Sequence, residues 1–226
     1  MLSGAEGRHA TTVRRLAPGE RVDLTDGQGT VAECVVTGAR QGILELAVTA
    51  RRTEPAPDPR IVVVQAIPKG DRGELAVEIM TEVGIDVVVA WPAERCVARW
   101  RSDRADKAMA RWQVTAREAA KQARRSWFPE VTGPAGTGEI ARRVQEASLA
   151  LLLDPEAPEL LSGITLPPSG DIVLIVGPEG GVSPAEQNAL AAAGAISARL
   201  GPSVLRASSA GAVAGALVLS GSGRWG

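Results

Sequence analysis

The segment GPEGGVSPAEQNAL begins at Gly177, directly after the apolar run DIVLIV (171–176). Gly177, Gly180 and Gly181 let the backbone turn tightly and approach a ligand with no side chain in the way. Ser183, Pro184 and Glu186 have capping-box spacing with proline at the first helical position, so a helix starts there. Open α/β sheets hold ligands at such strand-to-helix loops. The alternative is a plain tight turn, which accounts for glycine but not for its clustering beside Pro178 and Glu179. Two common phosphate loops are excluded: GxGxxG spacing is missing and no GK[ST] follows.

A second loop opens LGPSVLRASSAGAVAGALVL (200–219), where Gly201 and Pro202 place it at the same sheet edge. Arg206 is the only charged side chain between Gly201 and Ser222. A cation among apolar and small residues needs a partner or a substrate, because burying it unpaired is costly. Glu179 or a backbone carbonyl would serve as a structural partner. The small-residue helix that follows either fills the core or packs closely on another helix or subunit.

The third feature is WRSDRADKAMARWQVTAREAAKQARRSWFPEV (100–131). Arg104, Arg111, Lys121, Arg124 and Arg125 alternate there with Trp100, Trp112, Trp127 and Phe128. Cations bind phosphate oxygens, and aromatic faces stack unpaired bases. Equally, the charges can form a solvated helix face, with Trp112 anchoring it to the core. Other catalytic chemistry is thin. The single histidine, His9, excludes any site of two imidazoles, and Cys34 and Cys96 lack metal-ligand spacing. No metal is expected.

The elements that must position these residues are of two kinds. ERVDLTDGQG, TVAECVVTG and GILELAVTA alternate apolar and polar residues and predict short strands of a small barrel or half-barrel, residues 1–52. The proline-rich TEPAPDPR is read as a linker, 53–60. Strands then alternate with helices over 61–226: IVVVQAI (61–67), a helix over 73–83, DVVVAW (86–91), a basic helix over 103–125, LALLLD (149–154), DIVLIV, a weaker strand over 196–201 and a last helix over 208–220. That rhythm predicts an α/β fold with a mainly parallel sheet covered on both faces.

With 226 residues, 45% hydrophobic and 23% charged, the chain can bury a real core, and wholesale disorder is excluded. No apolar run reaches the ~18–20 residues that span a bilayer. The N-terminus lacks a secretion-signal h-region, and two distant cysteines suit a reducing cytosol; the expected location is cytoplasmic. The net charge of −1 hides a segment, 95–125, that carries +7 between flanks of −4 each. Of the 25 basic residues 22 are arginine, while Tyr is absent and Asn and Phe occur once each; GC-rich coding accounts for that bias.

Taken together, HATTVRRLAPGE, QAIPKGDRGELAVEIMTEVGIDVVVAWPAERCV, RWQVTAREAAKQARRSWFPEV, IVLIVGPEGGVSPAEQNAL and LGPSVLR resemble the RsmE family, the 16S rRNA (uracil-3-N)-methyltransferases of the SPOUT superfamily. The resemblance spans most of the chain. It implies an N-terminal PUA-like β-barrel that binds RNA, and a C-terminal SPOUT domain with a trefoil knot that binds S-adenosylmethionine. It also implies a homodimer acting on 16S rRNA or the 30S subunit, with methylation of N3 of uridine 1498. On this resemblance the cofactor is held by Leu153, Val176, Gly177, Pro178, Gly180 and Gly181 and by Leu200, Gly201, Val204 and Leu205. RNA is expected at Arg14, Arg15, Arg111, Lys121, Arg124 and Arg125. Arg206 is the expected catalytic residue, orienting the base or holding the charge that spreads onto the uracil oxygens as N3 loses its proton, and Glu179 is the candidate base.

Three departures stand out. The family continues LRTETA, whereas this chain reads Leu205-Arg206-Ala207-Ser208-Ser209-Ala210. A strand-forming stretch ahead of the His9 motif is missing, so either the barrel is one strand short or the start is misplaced. Lys121-Gln122-Ala123-Arg124-Arg125 is also more basic than the family's EQSGR or EQCGR. The first departure keeps a catalytically impaired RNA-binding SPOUT protein as one rival reading. A nucleotide-binding enzyme acting on a small molecule is the other.

Overall fold

A computed structural model describes residues 1–98, 100 and 102–225, apart from the side chains of 102–104, so that of Arg104 lies outside the described residues. The chain divides into two units, Met1–Ala56 and Pro57–Gly226.

In the first unit, helix α1 (Gly4–Arg8) runs into a π-turn at His9–Val13. Strands β1 (Arg21–Thr25), β2 (Thr30–Arg40) and β3 (Ile43–Thr53) form an antiparallel sheet in that order. Asp26 makes the β1–β2 turn: its Oδ1 accepts from the Gln28 and Thr30 amides at 2.7 and 3.1 Å. These bonds, chiefly the one from Gln28, hold its carboxyl below the usual range. Leu2 bridges Leu44 beside β3, over a small core of Ala10, Val36 and Leu44. The unit is thus an open sheet of three strands with one further bridge.

The second unit contains β4 (Arg60–Ala66), α2 (Arg72–Val83), β5 (Val87–Trp91), α3 (Ser102–Gln122), β6 (Glu130–Thr132), α4 (Thr137–Glu146), β7 (Leu149–Leu153), β8 (Asp171–Val176), α5 (Pro184–Ala192), β9 (Ile196–Ala198) and α6 (Ala207–Gly221). The six strands are all parallel, in the order β6-β5-β4-β8-β7-β9. Alternation along β4 shows why residues 61–64 are all apolar. Ile61 and Val63 pack with α2, α3 and α6, while Val62 and Val64 pack with α4 and α5. Helix α6 lies close to its neighbours because Gly211 has no side chain; a Cβ there would stand 2.9 Å from Met80 Sδ. Of the two sequence alternatives for α6, core packing accounts for this face. Two elements escape the sequence pattern. Strand β6 is three residues long, and α4 shows only Ile140 and Val144 as a buried i, i+4 pair after a glycine-rich stretch.

Asp86 ties the base of this unit together. It is 7% exposed. Its Oδ2 accepts from the Ile61 amide at 2.8 Å and from Arg224 Nη1; its Oδ1 accepts from Arg224 Nη2 at 3.2 Å and Arg125 Nη2 at 3.4 Å. Arg125 also donates to the carbonyls of Ile85 (2.6 Å), Trp127 (2.9 Å) and Thr81 (3.0 Å). The sequence reading of Arg125 as an RNA contact is therefore corrected. Its side chain is 12% exposed, and its Nε and both Nη groups are committed internally, clamping the end of α3 to the end of α2. Replacing Asp86 by Ala strands two guanidiniums and an amide. Urea unfolding should show a loss of about 3–5 kcal/mol; a loss below 1 kcal/mol, the scale of exposed pairs, would refute the clamp.

Candidate active site

The parallel ladder sets three strand ends level. Leu153 pairs with Val176 on one side and with Ala198 on the other. The chain leaves the sheet after each of these residues, and the three departing loops enclose a cavity of about 450 Å³. That volume lies within the range of small-molecule sites, at the strand edge where open α/β sheets place them.

The glycine loop forms one wall. The Pro178 carbonyl accepts from the Gly181 amide at 2.9 Å, and Gly181 has φ +75°, a conformation that side chains disfavour. A Cβ on Gly177 would lie 2.6 Å from Val182 Cγ2, so a larger residue would reshape this wall. The loop ends in the expected capping box. Ser183 Oγ accepts from the Glu186 amide at 3.3 Å, and the Ser183 amide donates to Glu186 Oε2 at 3.2 Å. Glu186 does more than the sequence indicates. Its Oε1 accepts from the Glu94 amide at 2.9 Å and from Thr137 Oγ1 at 3.2 Å. One buried carboxylate therefore joins the glycine loop to the segment after β5 and to the start of α4. Nearby, burial pushes the Cys96 thiol up from its ordinary value, which keeps it a thiol at neutral pH.

Nine of the residues read from sequence as cofactor contacts line this cavity: Leu153, Val176, Gly177, Pro178, Gly181, Leu200, Gly201, Val204 and Leu205. Gly180 does not; its carbonyl accepts from Arg95 Nη1 at 3.4 Å. Glu179 and Arg206 are both at the cavity and both exposed. Arg206 caps α6 without a side-chain hydrogen bond and, among the described residues, has no ion-pair partner. The pairing with Glu179 that the sequence left open is not formed.

The structure adds Asp154, Gln187, Arg199 and Ser203 to the lining. Asp154 could have been found as the polar residue closing LALLLD. Arg199 was hidden in a predicted strand over 196–201, but β9 stops at Ala198. The Nε of Arg199 is buried and makes no hydrogen bond.

None of the six residues proposed for RNA lines the cavity. Arg14 and Arg15 are exposed on the first unit and Arg124 on the second. Arg111, 70% exposed, pairs with Glu74 at 3.2 Å, and Lys121 with Glu118 at 2.7 Å. Trp112 is the core anchor of its two alternatives: it is 2% exposed and meets Trp100 edge-to-face at 5.0 Å. Phe128 lies under the Arg117 guanidinium at 5.6 Å. Among the described residues no group of three or more His, Cys, Asp or Glu could hold a metal ion, and no helix is long and apolar enough to cross a membrane.

A family model described as an RNA methyltransferase domain matches residues 54–219, and another described as an RNA methyltransferase PUA domain matches residues 2–47. Ribosomal RNA small subunit methyltransferase E of Mycobacterium bovis and that of Mycobacterium tuberculosis are each 47% identical to this chain over 218 residues, covering 95% of it and 83% of the relative. The chain belongs to the ribosomal RNA small subunit methyltransferase E family. Among solved structures, the Neisseria gonorrhoeae member bound to S-adenosylmethionine aligns with a TM-score of 0.84 at 29% identity, covering 95% of this chain and 88% of that one. A Legionella pneumophila methyltransferase in complex with the same cofactor aligns with a TM-score of 0.83 at 26% identity and the same coverages. The six-stranded parallel sheet with its PUA-type N-terminal unit is thus the architecture of this family.

The Glu186 tie makes a direct prediction. Glu186→Ala leaves the Ser183 and Glu94 amides without their acceptor and breaks the side-chain half of the capping box, at about 2–3 kcal/mol. Calorimetry should register this as a Tm lower by about 4–12 °C; an unchanged Tm would show that the carboxylate is dispensable.

Proposed function

We propose that this protein transfers the methyl group of S-adenosylmethionine to N3 of a uridine in 16S rRNA, uridine 1498 by family resemblance. The observation that carries the reading is the rim cavity, where the glycine loop, Glu179 and an unpaired Arg206 converge in a chain of this family. The residues present fit the cofactor: Gly177 lets the glycine loop close on Val182 where a Cβ would clash, and the cavity-lining Arg199 has a buried Nε without an acceptor. When bound, the cofactor supplies a methyl group on a positively charged sulfur, electrophilic enough to be attacked directly.

The protein's own task is mainly positional. Apolar Leu153, Val176 and Leu205 line the cavity and give the ligand apolar surface to cover. Arg206 holds the negative charge that spreads over the uracil oxygens once N3 is deprotonated, an electrostatic role like that of an oxyanion hole. It does not act as the base, because guanidinium stays protonated. The proton goes to Glu179 or to water. Asp154 is the weaker candidate, since its Oδ1 already accepts from the Glu156 amide at 2.9 Å.

RNA is held by Arg14 and Arg15 on the 1–52 unit and by Arg111, Lys121 and Arg124 on the basic helix and its end, the substrate being rRNA or the 30S subunit. The protein acts as a homodimer. That is supported by α6, which leaves Val213 and Leu217 about 40% exposed one helical turn apart. Family membership supports a knotted C-terminal chain and a cytoplasmic setting.

Arg206→Ala should lower methyl transfer by about 10²–10³-fold with cofactor affinity unchanged. Single-turnover assays with calorimetry check this, and unchanged turnover removes Arg206 from the mechanism. Nucleoside mass spectrometry of rRNA from a deletion strain, with and without complementation, should show N3-methyluridine lost and restored. Its persistence in the deletion strain would favour the RNA-binding or small-molecule reading. Arg14→Glu with Arg124→Glu should weaken RNA binding and reduce the slope of log K against log salt by about 2. An unaltered slope would make both residues solvated surface.

A further inference from the structure

We infer that Arg199 is a specificity-determining residue that grips the carboxylate at the amino-acid end of the cofactor; this rests on the cofactor assignment above. Arg199 follows β9 at the rim, with its backbone fixed on both sides. Its amide donates to the Glu159 carbonyl and its own carbonyl accepts from the Leu161 amide, each at 2.9 Å. The guanidinium therefore starts from a rigid point on the cavity wall. Its Nε is buried with no hydrogen-bond partner, and no carboxylate among the described residues pairs with it. A buried donor without an acceptor is costly, and a half-buried cation without a counter-charge more so. An anion in the cavity that Arg199 lines would supply the missing counter-charge.

The charges lining the cavity match the proposed ligand. Asp154 and Glu179 line the cavity proposed for a molecule that carries two cations, an ammonium and a sulfonium. With Arg206 assigned to the uracil, Arg199 is the lining cation left for that molecule's one anion. Arg206 is exposed at the start of α6 and has no orphaned buried atom. Arg199 has one, and a guanidinium fork matches a carboxylate in shape and charge. An RNA phosphate would answer the same chemistry, but a half-buried guanidinium lining a small-molecule-sized cavity favours the smaller anion.

The experiment titrates wild type, Arg199→Met and Arg199→Lys by calorimetry with two probes. S-adenosylhomocysteine carries the amino-acid end, whereas 5′-methylthioadenosine keeps the nucleoside and thioether but lacks it. Arg199→Met preserves the apolar stem and should weaken S-adenosylhomocysteine about tenfold or more, leaving 5′-methylthioadenosine within about twofold. Arg199→Lys, which keeps a charge without the fork, should lose less and still only for the first probe; it carries the test if the Met variant does not fold. Equal losses for both probes, or none for S-adenosylhomocysteine, overturn the assignment. So does a loss confined to RNA affinity. Wild type that binds neither probe removes the cofactor site itself, and the role of Arg199 with it.

Discussion

Parallel pairing of β7 with β8 and β9 is the constraint on which the site depends. Because Leu153, Val176 and Ala198 share one level of the ladder, three loops leave the sheet together and can meet around a ligand. A slip of one residue in any strand would turn its buried side chains to the opposite face and displace its loop. The register is therefore held by the core, Leu151, Leu152, Leu174 and Ile175 all being at most 4% exposed. The cavity inherits its geometry from that packing, and its loops need few bonds of their own. Glu186 adds the missing cross-tie, since hydrogen bonds from a single carboxylate reach the segment after β5 and the start of α4.

Much of this was legible in the sequence because the signals are local. Continuous apolar runs mark strands buried on both faces, and β4, β5, β7 and β8 lie where those runs are. The Ser183 and Glu186 spacing gave the start of α5. Glycine with proline gave both rim loops. What stayed hidden depends on contacts distant in sequence. Strand β6 exists because three residues find the open edge of β5, and no pattern of three residues announces that. Arg199 sits in the run that reads as strand over 196–201, but β9 ends at Ala198 and Arg199 bridges to Leu160 instead, at the cavity wall.

The basic segment shows why a charge count does not assign roles. Arg124 and Arg125 are adjacent and chemically identical. Yet Arg124 points to solvent with φ +55°, while Arg125 turns inward to Asp86 and three carbonyls. What separates them is the end of α3, where the chain reverses and one side chain must satisfy carbonyls left at the ends of α2 and α3. The tryptophans divide likewise, Trp112 being consumed by the core against Gly73 and Trp100. The charge available to a polyanion is smaller than the sequence total, and Arg111 and Lys121 share theirs with Glu74 and Glu118.

Helix α6 carries the departure that most affects the chemistry. Its first turn borders the cavity at Arg206, Ala207 and Ala210, and its middle packs tightly on α2 and β4 through Gly211. Ala207 and Ser208 are 8% and 5% exposed, so position 208 is an interior position of a close-packed helix. A carboxylate there, as the family's LRTETA would place, needs a partner or stays costly. Serine removes that demand, and with it one negative charge from the first turn of α6. In the proposed mechanism Arg206, which has no ion-pair partner among the described residues, is then left to host the developing anion. The acid–base work of that mechanism therefore rests with the exposed rim, where Glu179 lines the cavity.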